Sequence, residues 1–458
     1  MTLLERLAAI VGPDNVLTGA DVAARATSWV NQMPCRAAAI VRPGNTEEVA
    51  RVLAACHAAD QPVVTFGGLT GLVRACEAGP GEIGLSLERM NRIEVVDAAS
   101  RTITVEAGVQ VQRIQEEAER HGLMYPVDFG ARGSAQIGGS VATNAGGNGV
   151  IRYGMTRDSV LGLEAVLADG TVIPALNRMI KNNAAYDIKQ LFIGTEGTLG
   201  VVTRLVLRLR EQPRSMQTAL VACPSFGAVT RFLKHIDGAL GGALTAFEWM
   251  RRDFYVHVTT PPSKGTPPLA QDSDHYVLVE SSGGHAERDR AQFEEAIAGA
   301  IEAGIVTDAV IAASGAQRDA LWALRDDVES MFRLGMPLAF DVSLPIPEME
   351  GYVAEMTGRL EREWPAYHRF VFGHLGDGNL HVVVAGPASA EARHGIECCV
   401  YEPLAQRGGS VSAEHGIGLE KQPWLAQCRA PAELALMRKL KHSLDPKNLL
   451  NPGRVLPA

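Results

Sequence analysis

Two glycine-rich segments place the strongest constraint on how this chain can fold. The first is FGGLTG (66–71), directly after the β-rich run PVVT, and the second is DFGARGSAQIGGSVATNAGGNG (128–149). Neither contains G-x-G-x-x-G, and the chain has no G-x-x-x-x-G-K-[ST], so a Rossmann or P-loop nucleotide site is excluded. Backbone N–H groups without side chains in the way still form a concave anion site. The pair therefore predicts a bound pyrophosphate, with ordinary tight turns as the alternative.

The composition indicates a protein of a reducing compartment whose ligands are small molecules. The formal net charge of -9 and the lack of a basic run argue against nucleic acid or an anionic membrane as partner. The seven cysteines contain no C-x-x-C and indicate neither a disulfide framework nor a zinc–thiolate site. Glu5 and Arg6 interrupt the first apolar stretch, and no run of about 18 apolar residues follows. We therefore expect no signal peptide, no transmembrane segment and a cytoplasmic location.

Hydrophobic patterning predicts an α+β chain with more than one domain, since 458 residues exceed one ordinary core. Residues 37–210 alternate β-rich with helical runs, and Asn45 or Thr46 is a candidate helix N-cap. Pro213 interrupts an alternating strand, which places a boundary near residue 212. Beyond it, strands separated by amphipathic helices predict an antiparallel sheet with helices on one face. One C-terminal helix is expected to end before Asp445.

The segment GHLGDGNLH (373–381) carries two histidines seven residues apart. Apolar runs flank a Gly-Asp-Gly-Asn centre, so we predict two strands joined by a tight turn, with His374 and His381 near one end of the hairpin. A lone histidine is more often structural or on the surface. We interpret His57, His121 and His394 in that way.

Six segments together resemble a known family. In chain order they are PVVTFGGLTGLV, YPVDFGARGSAQIGGSVATNAGG, IGTEGTLGVVT, GHLGDGNLH, SAEHGIG and LLNPGRV. They resemble the FAD-dependent D-2-hydroxyacid dehydrogenases, which include D-lactate, glycolate and D-2-hydroxyglutarate dehydrogenases. This group lies within the vanillyl-alcohol oxidase and p-cresol methylhydroxylase flavoprotein superfamily. The resemblance covers nearly the whole chain.

The resemblance implies an α+β fold with three parts. A two-subdomain flavin-binding domain of the p-cresol methylhydroxylase (PCMH) type is expected over residues 1–212. A substrate or cap domain, with an antiparallel sheet covered by helices and with the metal site, is expected over 213–420. A C-terminal helical segment, 421–458, is expected to pack back on the FAD domain.

The resemblance also implies a set of FAD-binding residues. These are Gly67, Gly68, Thr70 and Gly71 around the pyrophosphate; Ser134, Gly138, Gly139, Thr143, Asn144 and Gly147 in the second loop; Glu196, Gly197 and Val202 along the dinucleotide; and Asn451 over the ring. Members that bind flavin covalently carry a histidine just after the first Gly-Gly. Leu69 and Thr70 occupy that place here, so we expect non-covalent FAD.

The histidines gain a role through the same resemblance. His374, His381 and Glu414 match metal ligands of the family, and two imidazoles with a carboxylate suit zinc or manganese, with iron as a further candidate. His415 matches the catalytic base that accepts the hydroxyl proton of a D-2-hydroxy acid while the hydride passes to FAD. The product is the 2-oxo acid.

Two cations are candidate substrate ligands. Arg325 matches a family arginine that binds the substrate carboxylate, and paired guanidinium donors suit that group. The alternative is an arginine that pairs with Asp326 or Glu329 on a solvated helix. Lys421 matches a family position with a weaker role.

The substrate side chain is expected to be small or apolar, as in D-lactate. Members that use dicarboxylates generally carry a lysine where this chain has Ala339, and a threonine where it has Glu329. A second substrate carboxylate would meet no cation, and closing a site over an unpaired carboxylate costs several kcal/mol.

The sequence is also compatible with other functions. A D-2-hydroxyglutarate or D-malate dehydrogenase is the alternative within the family, and an alkylglycerone-phosphate synthase is the alternative within the superfamily. A metal-dependent hydrolase and a flavin-binding subunit without catalysis are the alternatives of other classes. The electron acceptor of a dehydrogenase would be a quinone, a cytochrome or an electron-transfer flavoprotein, and a homodimer is left open.

Overall fold

The computed structural model describes residues 1–28, 33–263, 265–387 and 389–457. The chain divides into two compact units. The first unit comprises 1–147, 154–212 and 414–458, and the second comprises 148–153 and 213–413. The expected boundaries placed residues 148–153 in the flavin-binding domain and residues 414–420 in the cap domain. In the structure, residues 148–153 belong to the second unit and residues 414–420 to the first.

Short strands and helices alternate through the described residues. The strands are β1 (Val16–Leu17), β2 (Ala39–Val41), β3 (Val63–Phe66), β4 (Ile83–Ser86), β5 (Ile93–Asp97), β6 (Thr102–Glu106), β7 (Leu123–Met124), β8 (Val160–Val166), β9 (Val172–Ala175), β10 (Val201–Arg208), β11 (Arg210–Glu211), β12 (Ser215–Cys223), β13 (Leu244–Arg251), β14 (His275–Gly283), β15 (Asp308–Ile311), β16 (Met336–Ser343), β17 (His368–His374) and β18 (Asn379–Gly386). The α-helices are α1 (Leu3–Val11), α2 (Ala20–Ala23), α3 (Thr46–Ala58), α4 (Val111–Arg120), α5 (Ile137–Thr143), α6 (Val150–Tyr153), α7 (Thr156–Ser159), α8 (Phe226–Leu240), α9 (Arg252–Thr259), α10 (Ala286–Glu302), α11 (Gly315–Arg325), α12 (Ile346–Glu363), α13 (Ala390–Ala405), α14 (Leu425–Cys428) and α15 (Pro431–Leu444). Among the described residues, none of these helices is long and apolar enough to cross a membrane.

The first unit contains two principal sheets. One has the order β1-β2-β4-β3, with β2, β4 and β3 parallel, and the other is antiparallel with the order β5-β6-β10-β8-β9. Asn45 caps α3 by accepting a 2.9 Å hydrogen bond from the N–H of Glu48, as its sequence position predicts. The last helix, α15, ends at Leu444, directly before Asp445, which was also predicted.

The second unit is built on a seven-stranded antiparallel sheet with the order β15-β12-β14-β13-β17-β18-β16. The predicted hairpin of GHLGDGNLH is formed by β17 and β18, and Gly378 in the turn has a φ of +90°, which favours glycine. The antiparallel sheet covered by helices is confirmed.

The prediction of helices on only one face of this sheet is wrong. On β13, Phe247 packs against Phe232 of α8, whereas Met250 points the other way into a core with Phe254 of α9 and Leu321 of α11. Because the side chains on both faces of β13 are buried, both faces need helical cover.

The two glycine-rich segments lie against each other in the first unit. A Cβ atom added to Gly67 would lie 3.5 Å from the Cα atom of Gly139, and one added to Gly68 would lie 2.1 Å from the carbonyl oxygen of Ser134. The second distance is shorter than any real contact of this kind, so only glycine fits at residue 68. The segments meet backbone to backbone, the arrangement expected of two loops that share a pyrophosphate.

This packing predicts the effect of adding one methyl group. We expect Gly68→Ala to force the segments apart, to lose most of its FAD and to lower the free energy of unfolding by about 1–3 kcal/mol, the usual cost of overpacking. Gly130→Ala is the matched control, because a Cβ there meets nothing within 4 Å. Flavin absorbance per chain and thermal melting measure the two effects. Equal FAD content in the two variants would contradict the prediction.

Candidate active site

A row of polar side chains crosses one face of the sheet in the second unit. Glu248 of β13 is paired in register with His374 of β17. Phe372, two residues before His374, is paired with His381 of β18, and His381 is paired with Asp341 of β16. Because side chains alternate between the faces of a strand, these four polar residues lie on the same face.

The two histidines of the GHLGDGNLH motif are neighbours in this row. The ring centroids of His374 and His381 are 5.1 Å apart, and the ring planes are nearly perpendicular, at 82°. The Nδ1 atom of His374 lies 2.7 Å from Oε1 of Glu248. Because an ionised carboxylate only accepts hydrogen bonds, Nδ1 carries a proton, and Nε2 is the nitrogen that could ligate a metal ion. Such an imidazole has the form of a metal ligand whose second nitrogen is held by a carboxylate.

Arg325, the last residue of α11, reaches the same carboxylate. Its Nε atom donates to Oε2 of Glu248 over 2.8 Å, and its Nη2 atom lies 3.4 Å from Nε2 of His374. Its Nη1 atom is 3.8 Å from Asp326, so the ion pair considered from sequence is present but longer. The residue is only 5 % exposed. Arg325 is therefore a buried guanidinium beside the histidines and does not belong to a solvated helix face.

Glu248 is the residue that sequence reasoning missed. Burial alone would raise the pKa of its carboxyl group, but its interactions with His374 and Arg325 outweigh burial and lower the pKa to about 2. It is therefore a charged group 1 % exposed inside a sheet. A single carboxylate within an otherwise apolar strand, LTAFEWM, was the available signal.

Asp341 fixes the chain segment that leads into the SAEHGIG motif. Ser343 and Ser410 exchange two backbone hydrogen bonds, of 3.1 and 2.7 Å, at the end of β16. The N–H of Ala413 then donates to Oδ2 of Asp341 over 3.1 Å. Asp341 is fully buried. Ala413 is thereby held beside β16, whose Asp341 is paired in register with His381. Glu414 is the next residue of the chain.

In the first unit, Glu196 bonds to the C-terminal part of the SAEHGIG motif. Its carboxylate accepts from the N–H groups of Ile417 and Gly418, over 2.6 and 2.9 Å. Burial raises the pKa of Glu196, and these two bonds and Lys421 oppose that rise. Both carboxylate oxygens are thus engaged by the backbone that follows His415.

Asn451 ties this arrangement to the first glycine-rich segment. Its side-chain amide donates to the carbonyl oxygen of Glu196 and accepts from the N–H of Thr65 over 2.8 Å. Thr65 lies in β3, which leads into Gly67 and Gly68. The family resemblance assigns Glu196, Asn451 and the first glycine segment to one set of FAD-binding residues. The bonds of Asn451 show that they are also neighbours in space.

The remaining predicted FAD residues lie around the second glycine segment and β10. Thr143 and Asn144 lie at the C-terminal end of α5, where Thr143 donates to the carbonyl oxygen of Gly139 over 3.1 Å. The N–H of Glu196 donates to the carbonyl oxygen of Ala142 over 2.8 Å. Val202 is a core residue of β10. Other members of the set in this unit are Thr70, Gly71, Ser134, Gly138, Gly147 and Gly197.

Two family models match the chain. Residues 37–175 match a model described as FAD binding domain, and residues 212–455 match the C-terminal domain of FAD linked oxidases. Both glycine-rich segments therefore fall in one matched region, and the histidine motifs fall in the other.

Relatives among curated proteins cover nearly the whole chain. A D-2-hydroxyglutarate dehydrogenase of Xanthomonas citri pv. viticola is 40% identical over 445 residues, which is 95% of this chain and 93% of that protein. The mitochondrial D-2-hydroxyglutarate dehydrogenase of Bos taurus is 38% identical over 94% of this chain and 78% of its own. The D-2-hydroxyglutarate dehydrogenase of Stutzerimonas stutzeri is 34% identical over 100% of this chain and 99% of its own.

Solved structures share the fold at low identity. A p-cresol methylhydroxylase with substrate bound has a TM-score of 0.77 at 18% identity, covering 99% of this chain and 96% of that one. An alkyldihydroxyacetonephosphate synthase has a TM-score of 0.76 at 16% identity, covering 98% and 84%. From its two matched models and its relatives, the chain belongs to the FAD-dependent D-2-hydroxyacid dehydrogenase family.

Proposed function

We propose that this protein oxidises a D-2-hydroxy acid to the 2-oxo acid with non-covalently bound FAD and a divalent metal ion. The observation that carries the proposal is the buried group of Glu248, His374 and Arg325, in which a guanidinium nitrogen lies 3.4 Å from an imidazole nitrogen. A 2-hydroxy acid presents a hydroxyl group one carbon from its carboxylate. Arg325 suits the carboxylate, and the imidazole beside it suits a cation that binds both oxygens.

The proposed metal ligands are His374, His381 and Glu414, for zinc or manganese, with iron as a further candidate. The donor set fits, because the two imidazoles are adjacent and Nδ1 of His374 is bonded to a carboxylate, as is usual for a metal-ligating histidine. The anchoring of Ala413 by Asp341 supports Glu414 as the third ligand. When bound, the cation supplies a Lewis acid that makes the substrate hydroxyl group more acidic.

His415 is proposed as the base that accepts the hydroxyl proton at an imidazole nitrogen, since imidazole changes its protonation near neutral pH. Lys421, 4 % exposed, is proposed as a further cation of the site with a weaker role. FAD supplies the two-electron acceptor. Its binding is proposed to be non-covalent because Leu69 and Thr70 follow the first glycine pair.

A small or apolar substrate side chain is the first choice. Ala339 of β16 lies on the same sheet face as Asp341, its side chain is exposed, and it offers no cation to a second carboxylate. Glu329, in a turn of 3-10 helix at Val328–Leu334, is also exposed and would add a like charge. D-2-Hydroxyglutarate is the second candidate, favoured by the names of the relatives.

The alternatives of other classes have less support. A hydrolase without flavin would not account for the two matched FAD-related models. A flavin-binding subunit without catalysis would not need a buried charge group beside two histidines. A quinone, a cytochrome or an electron-transfer flavoprotein remains the proposed class of electron acceptor.

Metal removal tests the proposed ligands. We expect dialysis against a strong chelator, or His381→Ala, to leave FAD bound but to abolish bleaching of the flavin by the substrate under anaerobic conditions, and zinc or manganese to restore it after dialysis. His394→Ala is the control, because that side chain is 75% exposed. Unchanged bleaching in protein shown by elemental analysis to be metal-free would refute the metal proposal.

Replacement of His415 tests the proposed base. We expect His415→Ala to keep its FAD and metal and to slow flavin reduction by about 10²–10⁴-fold, the usual contribution of a positioned general base. His121→Ala changes a histidine of the same unit whose ring bonds to a helix carbonyl, and it should react at the wild-type rate. Stopped-flow flavin absorbance gives both rates. A change below about threefold in His415→Ala would assign the proton to another group.

A substrate panel tests the side-chain preference. With an artificial electron acceptor, we expect kcat/KM for D-lactate or a longer aliphatic D-2-hydroxy acid to exceed that for D-malate and D-2-hydroxyglutarate by about tenfold or more. Ala339→Lys should shift the ratio toward the dicarboxylates by a similar factor, because it adds a counter-ion. Met336→Lys adds the same charge on the opposite face of β16 and should not. A tenfold preference of the wild type for D-2-hydroxyglutarate would favour the second candidate.

A further inference from the structure

Glu248 uses both carboxylate oxygens, each for a different partner. Oε1 is bonded to Nδ1 of His374 over 2.7 Å, and Oε2 to Nε of Arg325 over 2.8 Å. The first partner belongs to the proposed metal site and the second to the proposed carboxylate site. One buried side chain therefore connects the two.

These two bonds set which atoms of the two side chains a ligand would meet. Nδ1 of His374 and Nε of Arg325 are engaged by Glu248, so a ligand would meet Nε2 of the imidazole and the Nη1–Nη2 edge of the guanidinium. Nη2 lies 3.4 Å from Nε2 and is in hydrogen-bond contact with it. The group proposed to bind the substrate carboxylate is therefore adjacent to a proposed metal ligand.

The charge of Glu248 also matters in this arrangement. A guanidinium so close to a metal-binding nitrogen repels a divalent cation, and the repulsion is strong where water is excluded. The anionic carboxylate between Arg325 and His374 offsets that positive charge. Removal of the negative charge would leave Arg325 beside the cation without compensation.

We propose that Glu248 is a positioning residue that orients the metal ligand His374 and the substrate-binding Arg325 together. The inference rests on the proposed function and extends it by naming the group that couples its two sites. Glu248 itself touches neither substrate nor flavin in this account. It acts through the imidazole and the guanidinium.

The same sheet face offers a matched control. Glu280 of β14 is 7 % exposed, and its Oε2 atom accepts from Thr218 over 2.7 Å and from Trp322 of α11 over 2.9 Å. It is a buried glutamate that contacts α11, as Glu248 is, and its Oε2 atom accepts from a hydroxyl and an indole. Glu280→Gln thus makes the same substitution at a second buried glutamate of this sheet face.

The first test measures metal affinity, independently of catalysis. Wild type, Glu248→Gln and Glu280→Gln, each with FAD bound, are equilibrated against graded zinc buffers, and bound zinc is determined by elemental analysis. We expect Glu248→Gln to bind zinc about 10–100-fold more weakly, the usual effect of losing a carboxylate behind a metal-binding histidine. Glu280→Gln should stay within about threefold of wild type. Equal affinities in Glu248→Gln and wild type, or equal losses in both variants, would overturn the proposal.

The second test separates KM from kcat at saturating zinc. Glutamine has one oxygen and one NH₂ group, so it can serve His374 or Arg325 but cannot accept from both. We expect KM for the D-2-hydroxy acid to rise by about tenfold or more in Glu248→Gln, with a smaller change in kcat. A fall in kcat with unchanged KM would contradict the role assigned to Arg325. If Glu248→Gln does not fold, Glu248→Asp decides, since it keeps the charge but is one methylene shorter. Its zinc affinity should be lower than that of the wild type, and an unchanged affinity would overturn the proposal.

Different experimental results would overturn the proposed function and this inference. Wild-type protein that binds no divalent metal and whose flavin is not reduced by any 2-hydroxy acid would overturn both. Wild-type protein that does both, with Glu248→Gln unaffected in zinc affinity and KM, would overturn the inference alone.

Discussion

The second unit depends on one electrostatic requirement, that the negative charge of Glu248 be paired inside an apolar sheet. A buried charge without a partner is strongly destabilising. Arg325 at the end of α11 and His374 on the adjacent strand supply the partners. The same pairing fixes where α11 ends over the sheet and which way the imidazole faces, so stability and the geometry of the candidate site have a common origin.

The first unit meets a similar requirement with backbone groups. Glu196 is also buried, but its carboxylate is satisfied by the N–H groups of Ile417 and Gly418. A carboxylate held by main-chain donors fixes the path of a loop, whereas one held by side chains fixes their orientation. Each kind of partner suits its position, since the loop carries His415 and the sheet carries the side chains proposed to bind metal and substrate.

Local signals in the sequence predicted local structure well. The cap at Asn45, the hairpin of GHLGDGNLH and the end of α15 all depend on neighbouring residues, and the glycine-rich segments and ordered motifs identified the family. Contacts between distant residues were missed. Glu248 lies 126 residues from His374, and α6 joins the second unit because Arg152 donates to Ser282, 130 residues away. Such partners follow from strand order and register, which local patterns do not contain.

The C-terminal residues of the chain complete a sheet that begins near the N-terminus. The N–H of Val63 in β3 donates to the carbonyl oxygen of Leu449, and the N–H of Asn451 donates back to the carbonyl oxygen of Val63, both over 2.8 Å. During synthesis on the ribosome, β3 therefore cannot make these bonds until residues 449–451 have been translated. The second unit, whose last residue is 413, has all of its residues before that moment. The seven-stranded sheet that carries the histidines therefore has all of its strands before β3 gains these partners.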